Sequence, residues 1–477
     1  MTRTRALAAA MAIALASLAT PLSTLAADAA TATQAPANEA ATRLHALFEA
    51  DWQRQLEDNP LLASYLGDKR YNARLPDLSP AAFARREAAL RASLATLEGI
   101  DRAALSPADQ LNHDLYLREL RIDLEALAFP SQRLAVDQRG GVHLLAVQMA
   151  PALRFESAAD YADWIARLRA YGTLVDQTIA LMREGMASGW VAPKAVMQRV
   201  PAQIAAQRVA RAEESSFYKP FLAMADSLPA AERERLQAEG RAAVAEVVLP
   251  ALARFEAFFN DEYLPASAAS VATGDLPDGR AYYDHLARRY TTTAMSADEI
   301  HAIGLSEVAR IRGEMEALRK EVGFGGDLAA FFEYLRTDPR FFHTDPQALL
   351  AEYRAISRRM DPELVKVFGK LPRTPYGVIP IPDAIAPDTT TAYYQRPSAD
   401  GRRAGYYYVN LYKPESRPRW EMMALSLHEA VPGHHLQIAL AQEMPDQPMF
   451  RRQGGFTAFI EGWGLYAERL GYDMGLY

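Results

Sequence analysis

Pro432 stands four residues after His428 in the stretch His428-Glu-Ala-Val-Pro-Gly-His-His435, and that placement forbids one straight helix there. Position i+4 is where a helix supplies the N–H for the His428 carbonyl. Proline has no N–H, and its ring collides with that carbonyl. The usual His-Glu-x-x-His stretch works because residues four apart share a helix face one turn apart, so two imidazoles reach one zinc. In an unbroken helix His434 would lie about 120° round from His428. His435 would return to the same face about 10 Å further along. Neither arrangement suits two ligands held about 2.0–2.1 Å from one ion. A break at Pro432-Gly433 removes the conflict, because a two-residue insertion brings a later histidine back beside His428. Gly433 is expected to take a positive φ in that break. Gly433-His434-His435-Leu436 then stands where Gly-His-x-Leu often closes the ordinary motif. This favours His434 as the second ligand and leaves His435 as the alternative.

Three of the nine histidines fall in this window. The others, His45, His113, His143, His285, His301 and His343, are scattered. His301 is the one that a helix beside Glu299 might bring near. The chain has no cysteine, so a metal would be held by imidazole and carboxylate. Glu461 follows His434 by 27 residues in Phe459-Ile-Glu-Gly-Trp-Gly-Leu-Tyr-Ala-Glu468, a fitting distance for a third ligand on the next helix. His428, His434 and Glu461 would leave a fourth position for water, with Glu429 as general base. Glu468 lies two turns beyond Glu461 on the same face and is a candidate to orient a ligand. The plainer alternative is a His-Glu polar pair followed by a histidine-marked helix start. An apolar setting (Met422, Met423, Leu425, Leu427, Leu436, Ile438, Leu440) argues against it, since a buried, unpaired His-Glu-His group is costly.

Leu427-His-Glu-Ala-Val-Pro-Gly-His-His-Leu-Gln437 and Glu461-Gly-Trp-Gly-Leu-Tyr-Ala-Glu468 resemble the bacterial family of unknown function 885. Asn59-Pro60, Leu66-Gly67-Asp68, Leu276-Pro-Asp-Gly279, Tyr290-Thr-Thr-Thr293 and Glu299-Ile-His-Ala-Ile-Gly304 support the likeness, which spans about residues 41–477. The resemblance implies a mostly helical, cleft-containing fold like that of zinc peptidases with His-Glu-x-x-His helices. It implies no substrate. It also leads us to expect a further C-terminal segment over the cleft, and hence an exposed apolar face on helix 456–470 at Phe459, Leu465 and Leu470.

The N-terminus reads as an export signal. Arg3 and Arg5 precede an apolar run over 6–20, and small residues near Ala26 offer a cleavage site. Cleavage there removes two cations and no acid, taking the formal charge from −7 to −9. That balance argues against nucleic acid as a partner and suits a periplasmic or secreted protein with no membrane anchor.

Residues 27–41 read as a flexible lead-in and 42–264 as a helical N-terminal lobe. Ser79-Pro80 and Ser106-Pro107 are helix starts, and long helices are expected near 158–186 and 229–260. Residues 265–280 look like a linker, and 281–477 form the catalytic lobe. Ser296-Ala-Asp-Glu299 is a capping box opening a helix with Val308, Ile311, Met315 and Leu318 on one stripe. Asp345-Pro346 and Asp361-Pro362 start two more. Thr389–Tyr394 and Gly405–Tyr412 read as a β-hairpin, whose edge beside the His-Glu helix is placed to hold a substrate backbone. Tyr406, Tyr407 and Tyr408 are candidates to stabilise an oxyanion. Arg402 and Arg403 read as loop charges, with a carboxylate anchor as the alternative. The fold class expected is therefore mainly α, a two-lobed zinc-peptidase-like fold with a small β-hairpin or sheet beside the active-site helix. The function expected is a Zn²⁺-dependent hydrolase of peptides or small amides. A hydrolase of non-peptide amides or esters and a metal-free periplasmic binding protein on the same scaffold are the alternatives.

Overall fold

The computed structural model describes residues 38–477; the signal-peptide reading and most of the lead-in lie outside them. Asn38 accepts a hydrogen bond from the Ala41 N–H and caps α1 (Glu39–Asp58), three residues ahead of the expected lobe boundary. Ser79 and Ser106 cap α2 (Pro80–Glu98) and α3 (Pro107–Ala126), each with proline in the first turn. Ser157 and Asp160 form a capping box for α4 (Ala158–Ser188), which stops at Gly189 with φ 78°.

A second long rod runs over 230–266. Its two internal prolines, Pro250 and Pro265, each follow a π-helical turn, Val244–Val248 and Phe259–Tyr263. The wider turn accommodates the missing donor and the ring, so the helix continues where the sequence reading ended it near 260. This rod packs on α4 around Trp164, Tyr171, Phe255, Phe259 and Tyr263, all buried. A smaller core joins α1, α2 and α3 through Leu44, Leu97 and Leu120.

Beyond the irregular 267–278 stretch come α5 (Gly279–Thr291), α6 (Ala297–Glu321) and α7 (Pro346–Met360). The Ser296–Glu299 capping box is present. The apolar stripe of α6 is present too, but it is not packed. No residue of that helix is buried, and Val308 and Leu318 are 55% and 52% exposed. Asp361-Pro362 opens a 3₁₀ segment, Asp361–Lys366, rather than another α-helix.

Three strands follow: β1 (Tyr376–Pro380), β2 (Ala392–Gln395) and β3 (Gly405–Val409), in the order β1-β3-β2. The expected hairpin is the antiparallel β2–β3 pair, with Tyr394 opposite Tyr407. The sequence reading missed β1, which runs parallel to β3 and turns the hairpin into a sheet. Then come α8 (Met422–Glu429), α9 (His434–Gln442) and α10 (Thr457–Met474). Sheet and helices share one core made by Leu349, Met360, Tyr407, Val409, Met422, Leu427 and Met474.

The two halves interlock. Phe450 packs on Phe48 and Tyr116 in the N-terminal core, and Arg403 donates to the Tyr65 carbonyl at 2.6 Å. Phe459 and Leu465 on α10 are exposed as expected, whereas Leu470 is buried in the core shared with α8. No helix of the described residues is long and apolar enough to cross a membrane.

Candidate metal centre

Helix α8 ends at Glu429 and α9 begins at His434, so the chain breaks where Pro432 requires it. The Val431–Pro432 peptide is cis. The His435 N–H donates back to the Ala430 carbonyl at 3.0 Å, and the Gln437 N–H to Gly433 at 3.1 Å, which restarts the helix. Gly433 is needed, but not for the expected reason. Its φ is −76°, in the ordinary range. A Cβ there would lie 1.8 Å from the His428 carbonyl oxygen, so only glycine fits the close approach.

The break swings His434 onto His428, with ring centroids 4.6 Å apart and planes nearly perpendicular. From α10, the Glu461 Oε2 lies 3.6 Å from the His428 Nε2 and 3.8 Å from the His434 Nε2. These three residues form a group whose ligand atoms all lie within 4.8 Å of one another. Three ligands tetrahedrally arranged at about 2.0–2.1 Å from zinc would stand about 3.4 Å apart. The two spacings from Glu461 are slightly wider and need only a small contraction. Among the described residues no other His/Asp/Glu group meets the same test.

Helix α10 approaches this closely because its facing residues are glycines two turns apart. A Cβ at Gly464 would come within 2.5 Å of the His428 ring, and one at Gly471 within 2.7 Å of Leu427. Glu468, one turn beyond Gly464, accepts from the His428 Nδ1–H at 2.9 Å. That bond turns Nε2 toward Glu461, in the carboxylate–histidine arrangement common around bound metals. It also raises the pKa of His428 against the effect of burial. Burial lowers the pKa of His434, keeping its ring neutral and able to donate a lone pair.

Glu429 is 8% exposed. Burial, reinforced by Glu461 and opposed by His428, pushes its carboxyl up to about 7. The backbone of Tyr394 on β2 tempers that rise. A carboxylate tuned near neutrality can take and return a proton at working pH.

The structure assigns His435 elsewhere. It is buried, its Nδ1 pairs with the Tyr394 hydroxyl at 2.8 Å and its Nε2 with the Thr374 carbonyl at 3.0 Å. Both ring nitrogens are used, and burial lowers its pKa to about 4. His435 thus ties the sheet to α9 and has no free lone pair to offer as a ligand. The tyrosine candidates are held by the sheet and its core, with Tyr406 edge-on to Tyr408. Tyr407 is buried and reaches Ser426 at 3.5 Å, and Tyr408 stacks on Tyr393. Arg402 is exposed, and Arg403 staples the hairpin loop to the Tyr65 carbonyl. His301 stays exposed on α6, outside the group. The sequence reading missed Gly464, Gly471 and the role of Tyr394. The two glycines had a signal in their seven-residue spacing along the ligand helix. Tyr394 had none, because its place depends on how the sheet packs.

Fold and site together define a mainly helical protein with a small sheet and a two-histidine, one-carboxylate cluster at a broken helix. The chain belongs to the family described as "Bacterial protein of unknown function (DUF885)", whose model matches residues 60–477. It is similar in fold to a crystal structure titled as that of a "putative lipoprotein" from Colwellia psychrerythraea, at 24% identity and a TM-score of 0.83. That match covers 92% of this chain and 79% of the other. No curated protein matches the chain.

Proposed function

We propose that this protein is an exported zinc-dependent hydrolase that cleaves peptide bonds. The observation that carries the reading is the convergence of His428, His434 and Glu461 from three helices, two of them rejoined across a break, onto one point. Two neutral-capable imidazoles and one carboxylate, with no thiolate, are the donor set of catalytic rather than structural zinc. Zinc bound there supplies a Lewis acid and an acidified water.

The chain's own residues do the rest. Glu429, beside the cluster with its carboxyl near neutrality, accepts a proton from the attacking water and returns it to the departing amine nitrogen. Glu468 holds the His428 ring through Nδ1. Strand β2 lies at the edge of the sheet, with the Tyr394 backbone toward Glu429. An extended peptide laid along that edge would bring its scissile bond past the base, a form of strand addition. Export is supported by the basic start and apolar run at 1–26.

The test is hydrolysis of a mixed peptide library by zinc-loaded protein. Cleavage is expected from the wild type, and Glu429→Gln should retain zinc but lose about 10²–10⁴-fold in rate. Wild-type turnover by that variant would place the base elsewhere. A zinc-loaded wild type that cleaves esters but no peptide would reject the substrate class.

A further inference from the structure

We propose that Trp463 is a positioning residue for the metal cluster: its indole N–H holds the Pro432 carbonyl and so fixes the break that carries His434 to His428. The inference rests on the zinc reading above. Trp463 lies on α10 between Glu461 and Gly464, and its Nε1 donates to the Pro432 oxygen at 2.8 Å. In a continuous helix that oxygen would accept from the Leu436 N–H. Here the chain turns instead, and the restarting bonds run from His435 to Ala430 and from Gln437 to Gly433. The break therefore leaves the Pro432 carbonyl without a backbone donor among the described residues, on a residue that is itself buried. A buried carbonyl without a partner is costly, and the indole supplies the partner.

The bond joins the right two pieces. One end is the segment that aims His434, and the other is the helix that carries Glu461 and Glu468. The separations of 3.6 and 3.8 Å from Glu461 to the two histidines depend on how far α10 stands from the break. Gly464 sets how close the helix can come to His428, and the Trp463 bond sets its register against the break. The indole is itself held by Phe368, at 6.2 Å between ring centroids, and by Tyr466 at 5.8 Å.

The test uses Co²⁺ alone as the probe, on the full chain. Trp463→Phe keeps an aromatic ring and removes the N–H. It is expected to weaken Co²⁺ binding about tenfold or more and to change the visible d–d absorption of the bound ion. Phe368→Leu, which loosens the packing but keeps the N–H, should lower the melting temperature without moving that spectrum. Wild-type affinity and spectrum in Trp463→Phe would overturn the proposal. Should that variant fail to fold, tryptophan-labelled wild type decides. The Trp463 indole N–H resonance should be protected from solvent exchange and should shift when Zn²⁺ is added; immediate exchange with no shift would overturn the proposal. A wild type that takes up no Co²⁺ removes the zinc reading itself, whereas normal uptake by both proteins removes only the role of Trp463.

Discussion

Gly464→Ala should damage the metal cluster while leaving the protein folded. In a helix interior, glycine to alanine normally stabilises by about 0.5–1 kcal/mol. Gly462 shows the ordinary case, since nothing lies within 4 Å of a Cβ placed there. At Gly464 the same Cβ would sit 2.5 Å from Cε1 and 2.7 Å from Nε2 of His428. Carbon contacts settle near 3.5–4.0 Å, so the ring must retreat by about 1 Å. Metal–ligand distances tolerate only about 0.2 Å. The retreat also strains the bond between Nδ1 and Glu468, and a bond to a charged group is worth about 1.5–3 kcal/mol. At about 1.4 kcal/mol per decade, zinc affinity should fall roughly 10- to 150-fold. Competition against a chromophoric chelator measures that, and thermal melting of the metal-free protein measures the fold. Gly462→Ala should melt slightly higher and bind zinc normally; Gly464→Ala should still melt cooperatively, destabilised by no more than about 3 kcal/mol, and bind zinc poorly. Equal zinc affinity in the two variants would refute the geometry argued for α10.

Two other expectations follow from the same contacts. His434→Ala should abolish stoichiometric zinc binding in a titration, whereas His435→Gln should keep one zinc and lose melting temperature, because His435 spends both nitrogens on Tyr394 and Thr374; the reverse order would reassign the ligand. Burial holds His143 at about 4 against 6.5 when unfolded, so the native state binds fewer protons between those values. Stability is then full above pH 6.5 and is lost as pH falls toward 4, by about 3 kcal/mol from this residue. Melting of wild type and His143→Met across that window should show a flatter acid limb in the variant, and parallel curves would contradict the assignment.

The sequence disclosed which residues cluster better than it disclosed the fold around them. His428, Pro432 and His434 are close in the chain, so local helix geometry is enough to require a break and to favour one partner. Glu461 and Glu468 were legible because seven residues is two helical turns, and both do meet His428. Strand β1 was not legible, since Tyr-Gly-Val-Ile-Pro is a short run whose partner lies across the hairpin and whose parallel pairing has no turn to announce it. Gly433 was recognised as necessary but for the wrong reason: a positive φ is a local property, whereas the crowding by the His428 carbonyl appears only once the chain has turned back. The stripe on α6 has the right period, yet periodicity says that a face is apolar, not that anything covers it.

The central claim is that His428, His434 and Glu461 together hold one zinc ion. Elemental analysis of the purified protein after reconstitution with zinc and removal of free metal tests it most directly, run beside Glu461→Ala. One zinc per wild-type chain, and much less than one in the variant, is the expected result. No retained metal in the wild type, or an equal amount in both, would contradict the account.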